Sequence, residues 1–76
     1  DINKNIELGK TLIEEAIEEN NNIINKENTI VTISHLTNTD VELKSLIWTR
    51  DLNSSFTEIS KLKIEIIKKF QQNNLY

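Results

Sequence analysis

His35 is the only imidazole in a chain that carries no cysteine. A metal site or a general base needs partners at hydrogen-bonding or ligand distance, and no second histidine or nearby carboxylate cluster supplies them. His35 is therefore assigned to structure or surface. Glu14, Glu15, Glu18 and Glu19 could in principle hold a divalent cation, but four carboxylates on the polar side of one helix ordinarily form a solvated face. Lys61, Lys63, Lys68 and Lys69 invite a nucleic-acid reading, yet they alternate with Glu58 and Glu65 and no aromatic residues interleave for base stacking. Gly9 is the sole glycine, which removes both the Gly-x-x-Gly loop of KH modules and the glycine-rich phosphate loops. No catalytic, metal or cofactor-binding residue is expected, and the chain is not read as an enzyme. Two apolar side chains, Leu46 and Trp48, remain. They fall on the outward parity of a strand, and large apolar residues there suit an interaction surface, so they are the candidate subunit interface.

The elements that position them follow from periodicity. From Asn3 to Glu19, Ile6, Gly9, Leu12, Ile13, Ala16 and Ile17 recur at spacings of three and four, which predicts an amphipathic helix. Gly9 on its buried side costs about 1 kcal/mol relative to Ala, so something is expected to pack close to the backbone there. Asn20, Asn21 and Asn22 end the helix, and a polar connector carries Ile23 and Ile24. Thr29 to Leu36 is β-branched and alternating, Thr37 to Asp40 is a run of turn formers, and Val41 to Arg50 alternates again, predicting a hairpin. Val41, Leu43, Ser45 and Ile47 share its core face, and Glu42, Lys44, Leu46 and Trp48 share the other. A second helix is expected after a capping box of Ser54 or Ser55 with Glu58. Its apolar stripe is Phe56, Ile59, Leu62, Ile66, Ile67 and Phe70. Leu75-Tyr76 reads as the start of a further strand. The expected core unites Ile13, Ile17, Val31, Ile33, Leu43, Ile47, Ile59, Leu62, Ile66 and Phe70, with both helices on one side of the hairpin.

With 76 residues the chain allows one small domain, residues 1–76. Its net charge is −3, with neither sign gathered into a block, which disfavours nucleic acid as a partner. No apolar run reaches the roughly 18 residues of a membrane span. Methionine is absent, so Asp1 is read as an internal position of a longer protein. A two-stranded sheet is marginal alone. The order helix, strand, strand, helix becomes a ferredoxin-like (split βαβ) α+β domain once truncated outer strands are supplied before Asp1 and after Tyr76.

The run from Val31 through Trp48, followed by Asp51 and by a helix closing on Ile66-Ile67-Lys68-Lys69-Phe70, resembles the C-terminal cytoplasmic α/β domain of small-conductance mechanosensitive channels. The first helix, Ile6 to Ile17, falls where that family places one, and the resemblance covers nearly the whole chain. This sequence has Asn38 where the family often has a turn glycine, and Leu46 where it often has a basic residue. It also lacks the family's Gly-Ile-x-x-Pro strand after the second helix. The resemblance implies a non-catalytic domain on the cytoplasmic side of a bacterial inner membrane. Seven copies would line a vestibule, joined to the membrane only through upstream helices. The alternative is a ferredoxin-like regulatory module that binds a small effector at a domain interface.

Overall fold

The structure is a computed structural model that describes residues 2–37 and 40–75, except the side chain of Ile2. It is α+β. Helix α1 spans Ile2–Glu19, strand β1 Ile23–Ile24, β2 Ile30–Leu36, β3 Val41–Leu46, β4 Trp48–Thr49 and helix α2 Leu52–Gln72, with a 3-10 turn at Lys26–Asn28. The strands form two small antiparallel sheets, β1 with β4 and β2 with β3.

Each helix has a local cause. On α1, the positions three and four apart, Gly9, Leu12, Ile13, Ala16 and Ile17, are the buried ones. A Cβ at Gly9 would stand 3.1 Å from Leu43 Cδ1 and 3.6 Å from Phe70 Cζ, so glycine lets β3 and α2 approach the helix backbone together. The helix stops where Asn20 turns the chain: its side chain accepts from Asn22 N–H at 2.8 Å, an Asx turn that competes with helical bonding. Asn25 then adopts a left-handed φ of 51°, a conformation asparagine tolerates better than most residues.

Helix α2 is capped by Asp51, whose carboxylate accepts from Ser54 N–H at 2.8 Å. This corrects the expected Ser54/Ser55–Glu58 box. Asp51 reaches the orphan amide first and starts the helix earlier, while Ser54 and Ser55 hydroxyls donate to the carbonyls of Asp51 and Leu52. At the other end, Leu75 N–H donates to Phe70 O at 2.8 Å and Asn74 N–H to Gln71 O at 3.2 Å, with Asn74 at φ 58°. That pattern is a Schellman motif. It uses Leu75 to finish a helix, and Leu75 lies in no strand. Tyr76, the other half of that expected strand, lies outside the described residues, as do Asn38 and Thr39 of the expected turn.

Ile13, Ala16, Ile17, Ile23 and Leu62 form the buried cluster, and Val31, Leu43, Ile47, Ile66 and Phe70 pack around it half-buried. Two expected core residues do not join it. Ile33 is 45% exposed and Ile59 36%, and Phe56, placed at the head of the α2 stripe, is 73% exposed. The reason is how far the helices reach: α1 lies over β2 and β3, whereas α2 packs on α1 and β4. Ile23, read as part of a polar connector, is instead core, because β1 pairs with β4 in register Ile23–Thr49 and Ile24–Trp48. The expected single strand Val41–Arg50 breaks at Ile47, and its end leaves the hairpin for that second sheet.

Candidate interaction face

The outward side of the β2–β3 hairpin is set by pairing. Ile30 stands opposite Leu46, Thr32 opposite Lys44, and His35 opposite Glu42, with a register irregularity between Ile33 and His35. On β3, exposure alternates strictly, so Glu42, Lys44 and Leu46 face out while Val41, Leu43 and Ser45 face α1 and α2. Directly opposed residues point to the same side. Ile30 therefore joins Leu46 on the outer face, and the two are 53% and 55% exposed. This cross-strand aliphatic pair stands uncovered. Leu46 is where the sequence placed it. Trp48 is half-buried in β4 opposite Ile24, and the pair lies on the side of that small sheet opposite to buried Ile23.

Apart from Ile30 and Leu46 this face is polar, with Thr32 opposite Lys44 and His35 opposite Glu42. Ser34 Oγ donates to Glu42 Oε1 at 2.7 Å, tying the bulged residue of β2 to the neighbouring strand. His35, beside Glu42, is exposed. Among the described residues no group of three or more His, Cys, Asp or Glu side chains converges as metal ligands would.

The helix carboxylates serve elsewhere. Lys69 Nζ donates to Glu19 at 2.8 Å and lies 3.8 Å from Glu15, bracing α2 against α1. The hydrogen bond to Glu19, with the surrounding carboxylates, holds the Lys69 ammonium above its ordinary pKa against a smaller opposing effect of burial. Glu58, expected in the capping box, is buried. Its carboxylate accepts from Asn22 Nδ2 at 3.1 Å and lies 3.9 Å from Lys61 Nζ, which pins the loop after α1 onto α2. The long separation between Asn22 and Glu58 left no periodic signal of that contact.

Among the described residues no helix is long and apolar enough to cross a membrane. No family model, curated protein or solved structure matches the chain.

Proposed function

We propose that the chain is a non-catalytic assembly domain, and that its specific setting is the cytoplasmic vestibule of a small-conductance mechanosensitive channel, built on a ferredoxin-like plan. The assembly role rests on one observation, the uncovered Ile30–Leu46 pair on the outer face of the hairpin. Two opposed aliphatic side chains held in fixed register on a sheet form a surface that a neighbouring subunit can cover. The channel setting draws on the sequence resemblance and on the β2–β3 hairpin, which lies in the chain between two helices long enough to form the helical layer of such a domain. In that setting seven copies would surround the pore axis on the cytoplasmic side of a bacterial inner membrane. The pore helices would belong to the longer protein. The alternative, a regulatory module for a small effector, draws on an apolar groove of ≈ 520 Å³ beside β3.

Replacing Leu46 with Glu tests the assembly role, because an exposed site tolerates the change with little effect on stability. Sedimentation velocity should show association of the natural chain that rises with concentration and is lost in Leu46→Glu, with the circular dichroism spectrum unchanged. A natural chain that stays monomeric at all concentrations contradicts the role. For the channel setting, the whole gene product should protect a host lacking tension-gated channels from hypo-osmotic shock. Failure to protect removes that setting and leaves the assembly role to stand on the sedimentation result.

A further inference from the structure

The outer face of the hairpin is one uncovered apolar patch on this chain, and a second lies at the head of α2. Leu52 and Phe56 are the two most exposed large apolar side chains among the described residues. They stand four residues apart, one above the other on the same side of the helix. The groove beside β3 does not account for them, because its α2 wall begins at Ile59. A strand added at the free edge of β3 would fill that groove and meet Ile59 and the residues after it. It would lengthen the sheet sideways without covering the outer face on which Ile30 and Leu46 stand. Both patches therefore need an occupant of another kind.

The chain itself carries a complement for each. On the outer face of β3 the order is Glu42, Lys44, Leu46, an acid, a base and an apolar side chain. Entering α2 the order is Arg50, Asp51, then Leu52 with Phe56, a base, an acid and an apolar pair. The spacings agree as well. Lys44 and Leu46 are about 7 Å apart along the strand, and Asp51 and Phe56 are about 7 Å apart along the helix axis. Lys44, Arg50 and Asp51 are exposed and take part in no ion pair among the described residues. We propose that the hairpin face of one copy covers the head of α2 of the next. Ile30 and Leu46 would pack on Leu52 and Phe56, Lys44 would meet Asp51, and Glu42 would meet Arg50. Asp51 can pair in this way while it caps α2, because a carboxylate accepts more than one donor. Two hairpin faces laid on each other would leave Leu52 and Phe56 uncovered, and two α2 heads would leave Ile30 and Leu46 so. A contact between unlike patches uses both, and it can repeat from copy to copy around a ring. This inference rests on the assembly role proposed above and specifies how that contact is made.

Two single substitutions and their mixture test it by sedimentation velocity. Leu46→Glu spoils the hairpin patch and Phe56→Glu the α2 head, both at exposed positions where the circular dichroism spectrum should not change. If the spectrum of Phe56→Glu does change, Leu52→Glu takes its place. Each variant alone should associate at least about thirtyfold more weakly than the natural chain. Mixed in equal amounts they should form a one-to-one dimer and nothing larger. The intact hairpin face of Phe56→Glu then finds the intact α2 head of Leu46→Glu, and only the spoiled patches are left over. Asp51→Asn keeps the cap, since asparagine caps as well as aspartate. It should weaken association of the natural chain yet add no further loss beside Lys44→Gln. Phe56→Glu that associates as tightly as the natural chain would overturn this inference and leave the assembly role standing. A mixture that stays as monomeric as its components would overturn it as well. A natural chain that never associates removes the assembly role and this inference together.

Discussion

The end of the molecule where β1 and β4 meet the two helices and the end where the hairpin turns contain the same kinds of residue and differ in what covers them. Ile13, Ile17, Ile23 and Leu62 are buried in the first. In the second, β2 has no buried residue at all, and only Val31 is even half-buried. Both ends are rich in isoleucine, so composition does not distinguish them. The difference is that both helices and the small sheet of β1 and β4 enclose the first end, whereas α1 is the helix that packs most closely on the hairpin and leaves Ile33 and Leu36 uncovered on its helix-facing side. A β-branched residue stabilises a sheet through what packs on it, and the stability of this chain is therefore concentrated in the helical end rather than toward the hairpin turn. That division suits recognition, because weakly enclosed segments are the ones a partner can complete.

The largest expected effect breaks the comparison at its strongest point. Ile17→Ala, at a residue 2% exposed, should cost about 2–5 kcal/mol in denaturant unfolding. Ile33→Ala, the same chemical change at a site 45% exposed, should cost about 1 kcal/mol at most. Equal costs would mean that the hairpin is as enclosed as the helical end.

A smaller effect sharpens the role of Lys69, which joins the two helices. Its pKa is raised in the folded chain from an ordinary 10.5. The ion pair therefore contributes its full stability below pH 10.5, and that contribution fades as the pH climbs through the raised value. Thermal unfolding of the natural chain should fall off more steeply above pH 10.5 than that of Lys69→Met, and parallel curves would show that the pair adds nothing. Because the side chains are near the surface, the difference should be small and should shrink with added salt.

Much of the fold is legible in the sequence because it is written in periodicity. The 3.6-residue recurrence from Ile6 to Ile17 and the alternation through Val41 to Leu46 both correspond to observed elements. What periodicity does not carry is where a strand changes sheets. Ile23 and Ile24 are too short a run to announce β1, and nothing local marks the break at Ile47 that passes Trp48 to the second sheet. The candidate face was half legible for a related reason. Counting back from the turn in steady register puts Val31 opposite Leu46, but the irregularity between Ile33 and His35 slips β2 by one residue and puts Ile30 there instead. A one-residue slip exchanges the faces of a strand, so the bulge keeps Val31 on the core side and exposes Ile30. The groove along β3 was not legible, since it depends on where α2 passes, and the hydrophobic stripe of a helix fixes its inward side without fixing its neighbour.

Hydrogen exchange of the natural chain, measured at low and at high protein concentration, compares the two ends without any substitution. Amides of α1 around Ile13 to Ile17 should be well protected at both concentrations, while those of β2 and β3 should exchange quickly in dilute solution and gain protection as concentration rises and subunits cover the hairpin. Hairpin amides that are as protected as α1 in dilute solution, or that ignore concentration, would contradict an uncovered assembly face.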